Sequence, residues 1–315
     1  MDPTLPVLPN GTLNTSAIGV GCAYLTAGSP TFHDARLIWA ALDEGARHFD
    51  VAPQYGLGTA EAVLGRALQG CRNKVTIATK VGIARPVVHP LHLTLRAVAS
   101  PLRKILRRRL NIEMKPSRTL SFDVAFAESS VRESLRHLRT DRVDTLLLHM
   151  PAPGDLSEEL VEYLVRLRQR GTALSIGLAT YKEFADTIVT EWPNVFDVIQ
   201  YAWNGLEPST QDSGMMFRIT YRPIVGAIMQ IKEWVENDPH ARENLSRAMN
   251  CDVREDGVLS RALLGASLLN NPHGITLVGS RSIARTRRNI KDALNRESLV
   301  LGASMRSALG AMGRL

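Results

Sequence analysis

The sequence of 315 residues contains few cysteines, few aromatic residues and no long uninterrupted hydrophobic segment. Its three cysteines, Cys22, Cys71 and Cys251, form no CxxC pair, which argues against a disulfide framework and against a zinc site. So few cysteines favour a reducing, cytoplasmic setting. Residues 1–14 lack a basic segment followed by an apolar one, so we expect no signal peptide. No apolar run approaches the roughly 20 residues that a membrane-spanning helix needs.

The formal net charge of +7 is concentrated in one segment. Residues 101–118 contain seven Lys or Arg and one Glu, and the rest of the chain is nearly neutral. A generally basic surface for nucleic acid is therefore not indicated, and the segment has no aromatic residue to stack on bases. A solvated helix face is the favoured interpretation. Two other interpretations stay open: attraction of an anionic substrate or cofactor toward the mouth, and a patch for nucleic acid or an anionic membrane.

Short apolar segments alternate with helical patterns along the whole chain. Eight of them are nearly continuously hydrophobic, which is typical of parallel strands covered by helices. The predicted strands are 16–23, 47–52, 74–80, 143–150, 174–180, 197–203, 218–224 and 274–280. Eight strands alternating with helices predict a (β/α)₈ TIM barrel.

Two further features complete the predicted organisation. An Asn10-Gly11 turn predicts an N-terminal β-hairpin before the first barrel strand. No linker is visible, so we expect a single domain spanning 1–315. Within it, 82–120 is an irregular basic insert that is long for a connection between a strand and a helix.

Four polar residues lie at or just beyond the ends of consecutive predicted strands. Asp50 and Tyr55 belong to the second strand and the loop after it, Lys80 to the end of the third and His149 to the end of the fourth. The carboxyl ends of barrel strands meet at one mouth, where catalytic groups of this fold collect. Each residue alone has an ordinary explanation: a turn-capping aspartate, a loop tyrosine, a solvated lysine and a core histidine. Together they suit a joint chemical role.

That role is proton transfer to a carbonyl oxygen. A tyrosine hydroxyl, with a pKa of about 10, is a weak acid at neutral pH, and a lysine cation nearby favours its phenolate. A carboxylate beside the lysine offsets the buried charge, and a histidine can orient the substrate oxygen. Such a group can protonate the oxygen while a hydride reaches the carbon.

Several segments, in order, resemble the aldo-keto reductase superfamily. "HFDVAPQYGLGTAEAVLGRAL", "KVTIATKVG" and "SVRESLRHLRTDRVDTLLLHMP" resemble the family's segments that carry its catalytic tetrad. The likeness covers most of the chain except the region around 82–120 and the C-terminal end. It implies a tetrad of Asp50, Tyr55, Lys80 and His149, with Tyr55 as the general acid and base.

The resemblance also implies a nicotinamide cofactor that lies across the barrel mouth without a Rossmann domain. The matching residues are Thr180, Gln200, Tyr221, Gly279, Ser280, Arg281, Arg285 and Asn289. In the family these positions contact the nicotinamide amide (Gln200), stack on its ring (Tyr221) or grip the adenosine phosphate (279–289). Arg281 and Arg285 would attract a 2′-phosphate, which favours NADP(H), with NAD(H) also possible.

The expected function is reversible hydride transfer between the nicotinamide and a small aldehyde, ketone or sugar, without a metal. Trp203 is predicted either to contact that substrate or to pack at the rim. The family's usual Ser-Asn pair after the fifth strand is Ala179-Thr180 here. This departure leaves open a protein that binds the nucleotide for regulation or interaction without turnover. The sequence does not indicate an oligomeric state.

Overall fold

A computed structural model describes residues 6–10, 15–26, 33–86, 120–208 and 216–315. Most of the basic insert, including 101–118, therefore lies outside the described residues, and so does part of the predicted hairpin. Asn10 has a φ of +57°, as its turn position requires, and the amide of Thr15 donates to the Pro6 carbonyl at 2.8 Å. The rest of that hairpin stays a prediction.

The predicted strands form a closed parallel barrel in chain order, which confirms the (β/α)₈ fold. They are β1 (Ile18–Gly21), β2 (His48–Asp50), β3 (Thr76–Val81), β4 (Val143–His149), β5 (Ala173–Ala179), β6 (Val198–Ala202), β7 (Phe217–Tyr221) and β8 (Ile275–Val278). The barrel closes because β1 pairs with both β2 and β8. Parallel pairing throughout brings all carboxyl ends to one mouth.

Helices surround the barrel. They are α1 (His33–Asp43), α2 (Ala60–Ala67), α3 (Val124–Leu138), α4 (Glu158–Gln169), α5 (Lys182–Glu191), α6 (Ala227–Asn237), α7 (Pro239–Met249), α8 (Val258–Asn270), α9 (Ile283–Leu294) and α10 (Arg296–Ala311). Five of them begin at a side chain that accepts a hydrogen bond from a first-turn amide: Asp123, Ser157, Asp238, Ser282 and Asn295. Such caps satisfy helix amides that have no partner within the helix.

Apolar side chains fill the lower part of the barrel interior. Leu147, Val198, Ile219 and Ile275 are buried in one cluster, and Leu8 packs with them at 2% exposure. Each such side chain contributes about 1.5–3 kcal/mol when it is fully buried. Because Val198 and Ile275 begin their strands, Leu8 covers the amino-terminal end of the barrel.

The two described ends of the connection after β3 lie side by side. Ile83 forms an isolated antiparallel bridge with Leu120, and the amide of Ser121 donates to the Gly82 carbonyl at 2.8 Å. The insert is therefore anchored beside the carboxyl end of β3. Within the described part of the chain, every helix is too short or too polar to cross a membrane.

Candidate active site

A buried ion pair joins the ends of β2 and β3. The ammonium of Lys80 lies 2.7 Å from both carboxylate oxygens of Asp50 and 3.2 Å from the Val51 carbonyl. The two side chains are only 2% and 5% exposed. Gln200, on β6, donates from Nε2 to the same carboxylate at 2.8 Å. Burying charges is costly unless they are paired and hydrogen-bonded, and this arrangement meets both conditions.

The loop after β2 carries Tyr55 to this pair. A 3₁₀ turn spans Tyr55–Gly58, with positive φ angles at Gly56 (57°), Leu57 (59°) and Gly58 (83°). A Cβ atom on Gly56 would lie 1.6 Å from the Leu25 carbonyl oxygen, so only glycine fits there. The turn reverses the chain into α2 and leaves the Tyr55 ring 5.0 Å from the Lys80 ammonium.

The pKa of Tyr55 is raised, mainly by burial, while the charge and hydrogen bond of Lys80 act in the opposite direction. Burial lowers the pKa of Lys80, but its interactions with Asp50 and Tyr55 outweigh burial and raise it. The sequence led us to expect a lowered tyrosine pKa. The lysine does lower the pKa of the tyrosine, but burial raises it by more. Tyr55 is therefore a protonated donor at neutral pH, next to a permanent cation.

His149 ends β4 and completes the group. Its ring lies 6.1 Å from the Tyr55 ring, centre to centre, at an angle of 87°. Its Nδ1 lies 2.9 Å from Nε2 of Gln54, the residue before Tyr55. Sequence reasoning missed Gln54, because nothing in the pattern tells which way a loop residue turns. The four residues predicted to form a tetrad are thus brought together.

A second buried ion pair supports the loop that carries Tyr55. Arg85, just after β3, pairs with Glu61 at the start of α2 and donates to the carbonyls of Pro53 (3.3 Å) and Gly58 (2.7 Å). Glu61 is fully buried and also accepts from the Thr79 hydroxyl at 2.6 Å. Sequence reasoning missed this pair as well. The signal available was a glutamate beside the apolar stripe of α2.

Three residues predicted to contact the nicotinamide lie on or just after neighbouring strands. Gln200 and Thr180 are buried, and Tyr221 is half-buried. The Thr180 hydroxyl donates to the Pro151 carbonyl at 2.9 Å, so its oxygen can act towards a ligand only as an acceptor. The amide nitrogen of Gln200 donates to Asp50, so its carbonyl oxygen can accept a hydrogen bond from a carboxamide.

The residues predicted to hold the adenosine phosphate follow β8. Ser280 accepts from the Ser282 amide at 3.0 Å, and Ser282 caps α9, which carries Arg285 and Asn289. Both Arg281 and Arg285 are exposed. A capped helix amino terminus with two exposed guanidinium groups fits a phosphate.

Tyr24 and Trp203, two aromatic residues near the mouth, differ in their contacts. The guanidinium of Arg281 lies 4.9 Å from the centre of the Tyr24 ring, which also borders Gly279. Trp203 is 2% exposed, and its indole donates to the Pro208 carbonyl at 3.1 Å. Its position favours rim packing, the second of the two interpretations drawn from the sequence.

The described residues thus define a (β/α)₈ barrel whose mouth holds a buried lysine–aspartate pair against a tyrosine and a histidine. The model of the aldo/keto reductase family matches residues 17–218. Since this is more than half of the chain, the protein belongs to the aldo/keto reductase family.

Individual known proteins are similar to parts or to the whole of the chain. A 6-dehydroglucose reductase from Agrobacterium fabrum is 32% identical over 157 residues, which are 49% of this chain and 45% of that protein. The chain spans about half the length of the curated relatives it matches. A glycerol dehydrogenase from Gluconobacter oxydans has a similar structure, with a TM-score of 0.70 at 21% identity, covering 99% of this chain and 96% of that one. An aldo-keto reductase from Klebsiella pneumoniae in complex with NADPH has a TM-score of 0.63 at 18% identity, covering 92% and 89%.

Proposed function

We propose that the protein is an NADP(H)-dependent oxidoreductase that interconverts a carbonyl and an alcohol. The observation that carries this proposal is the buried pair of Asp50 and Lys80 beside Tyr55, whose ring in turn lies next to that of His149. The substrate class is a small aldehyde, ketone or sugar. It is supported by relatives described as a 6-dehydroglucose reductase and a glycerol dehydrogenase.

In this proposal Tyr55 protonates the substrate oxygen, and each other residue has one task. The nicotinamide, when bound, supplies the hydride. The ammonium of Lys80 stabilises the phenolate that Tyr55 leaves behind, and Asp50 holds that ammonium in place. His149 donates a hydrogen bond that orients the oxygen. In the oxidative direction the Tyr55 phenolate takes the proton back.

The cofactor assignment rests on side chains at the mouth. Gln200, Thr180 and Tyr221 would hold the nicotinamide. Gly279, Ser280, Arg281, Arg285 and Asn289 would hold the adenosine phosphate. The two exposed arginines favour NADP(H) over NAD(H) because each can form charge-assisted hydrogen bonds with a 2′-phosphate. The Klebsiella protein in complex with NADPH supports the same choice.

The test is NADPH oxidation followed by absorbance with a panel of small aldehydes, ketones and sugars. We expect turnover that falls at least about 100-fold in Tyr55→Phe, because a general acid typically contributes 10²–10⁴-fold. Equal turnover by Tyr55→Phe would reject the mechanism. Tyr163→Phe, the same exchange on α4 at the outside of the barrel, is the matched control and should leave turnover unchanged.

A second candidate is a regulatory or interaction protein that binds the nucleotide without turnover. The observation that favours it is the Ala179-Thr180 pair: Ala179 offers no polar side-chain group, and the Thr180 hydroxyl already donates to Pro151. NADPH binding seen by fluorescence, with no turnover on any member of the panel, would select this candidate. Turnover that depends on Tyr55 would exclude it.

Three further predictions belong to the proposal. The partner is a small molecule rather than nucleic acid, and the chain is one domain with a basic insert. A cytoplasmic location is supported by Cys22, Cys71 and Cys251, none of which forms a disulfide in the part of the chain described.

A further inference from the structure

Gln54 links the loop after β2 to the end of β4, across 95 residues of sequence. It directly precedes Tyr55 and begins the 3₁₀ turn that carries the tyrosine. Its side chain is partly buried, and its amide nitrogen Nε2 lies 2.9 Å from Nδ1 of His149. The residue before the proposed proton donor therefore contacts the proposed orienting residue.

With the amide nitrogen of Gln54 towards the ring, the direction of this hydrogen bond follows from the chemistry of the two groups. An amide nitrogen only donates, so Nδ1 of His149 must accept. A neutral imidazole that accepts at Nδ1 carries its proton on Nε2. In this orientation Gln54 favours one of the two neutral tautomers of the ring.

The opposite orientation of the Gln54 amide is less favourable. It would turn the carbonyl oxygen Oε1 towards Nδ1–H and leave the NH₂ group in the position that Oε1 now occupies. In the described structure Oε1 is buried there without a hydrogen-bond partner. A buried carbonyl without a partner is tolerated more often than a buried N–H, and an NH₂ group would leave two donors unsatisfied. The environment therefore favours the amide with its nitrogen towards His149.

The tautomer matters for the reaction. With the proton on Nε2, the ring donates a hydrogen bond from the nitrogen that does not face Gln54. With the proton on Nδ1 instead, Nε2 would present a lone pair, which repels a carbonyl oxygen. Glutamine achieves this without adding a charge beside the Asp50–Lys80 pair, whereas a glutamate would accept from Nδ1–H and favour the imidazolium.

We infer that Gln54 is a positioning residue that holds His149 in the tautomer protonated at Nε2, ready to donate to the substrate oxygen. This inference rests on the proposed function for its catalytic meaning. The tautomer itself is a property of the ligand-free protein, and it can be measured without turnover.

The first experiment is nitrogen NMR of the ligand-free protein labelled with ¹⁵N-histidine. The chain has eight histidines, and His149→Gln identifies the signals of His149 by their loss. We expect the wild-type ring to be protonated at Nε2 and not at Nδ1. Gln54→Leu should give a mixture of both neutral tautomers, and Gln54→Glu should protonate Nδ1. A wild-type ring protonated at Nδ1, or a Gln54→Leu spectrum identical to wild type, would overturn the inference.

The second experiment separates this inference from the proposed function. In Gln54→Leu we expect kcat/KM for the carbonyl substrate to fall about tenfold, equivalent to roughly 1.4 kcal/mol, with NADPH affinity unchanged. Gln169→Leu, the same exchange on an exposed residue at the end of α4, is the matched control and should keep full activity. If the wild type turns over and the Gln54 variant keeps full activity, the inference about Gln54 is wrong while the proposed function stands. If no variant and no wild type turns over, the proposed function fails, and the NMR result still tests the tautomer.

Discussion

The guanidinium of Arg85 forms an ion pair with the fully buried carboxylate of Glu61, beneath the loop that presents Tyr55. The pair ties the end of β3 to the start of α2, and the same arginine holds the carbonyls of Pro53 and Gly58. A buried charge that loses its partner costs far more than an exposed one. This pair should therefore control both stability and the position of the tyrosine.

Removing the arginine tests that role. In Arg85→Leu the carboxylate of Glu61 stays buried without its cation, and we expect a loss of about 3–5 kcal/mol in the free energy of unfolding, measured with urea. Adding Glu61→Gln should recover part of this loss, because no unpaired charge remains. Arg166→Leu, which breaks an exposed pair with Glu162 on α4, should cost less than about 0.5 kcal/mol. Similar losses in the buried and exposed variants would contradict this view.

Gly56 is required by space as well as by its backbone angle. In Gly56→Ala the new Cβ meets the Leu25 carbonyl, so the loop must move, and we expect turnover to fall at least about tenfold. Gly70→Ala is the matched control: Gly70 has a φ of +82°, but no atom lies within 4 Å of the position that its Cβ would take. It should lose only about 1 kcal/mol of stability and no activity. Activity loss in both variants would point to backbone strain instead of the clash.

Burial makes the stability dependent on pH through His48. Burial lowers the pKa of His48 to about 4 from its ordinary 6.5. Its Nδ1 lies 2.9 Å from the Thr76 hydroxyl, while Nε2 is buried without a partner. A lowered pKa means that the unfolded chain binds the proton first as the pH falls. His48 therefore contributes fully to the free energy of unfolding above pH 6.5. This contribution, about 3 kcal/mol, is lost as the pH falls from 6.5 to about 4.

Urea unfolding at several pH values checks this. In His48→Asn the side chain can still bond to Thr76 but does not titrate, so its free energy of unfolding should decline less than that of wild type over the same range. The variant loses ring volume and is expected to be less stable at every pH. The deciding quantity is the slope of the free energy of unfolding against pH. Equal slopes for the two proteins would show that His48 is not the group responsible.

The two exposed arginines after β8 should distinguish NADPH from NADH. In Arg281→Ala and Arg285→Ala we expect the Kd for NADPH to rise about tenfold each, because a charge-assisted hydrogen bond to phosphate contributes roughly 1.5–3 kcal/mol at best. The Kd for NADH should hardly change. Arg288→Ala on the same helix is the control, since Arg288 already pairs with Asp256 at 3.0 Å. Fluorescence titration measures all of these, and equal effects on the two nucleotides would argue against a 2′-phosphate site.

The barrel and the meeting of Asp50, Tyr55, Lys80 and His149 could be predicted because they depend on order along the chain. Parallel strands bring their carboxyl ends together whatever the details of packing, so a residue that ends a strand has a known place. The predicted strands each overlap an observed one, although several were predicted two or more residues too long.

What the sequence did not reveal depends on the shape of loops and on burial. The contact of Gln54 with His149 depends on the shape of the loop after β2, where residue type alone does not indicate the positive φ of Leu57. The raised pKa of Tyr55 depends on how fully the ring is enclosed. The burial of Trp203 depends on the segment that folds back to Pro208. Each is set by tertiary contacts between distant parts of the chain.

Leu8 covers the amino-terminal end of the barrel. Since it belongs to one buried cluster with Val198 and Ile275, the described residues close the barrel on the side away from the polar centre. In the proposed reaction, reactant and product then enter and leave at the carboxyl end of the barrel. In that reaction a substrate bound over Tyr55 would separate the tyrosine from bulk water, so we expect the hydroxyl to regain its proton after the product has left.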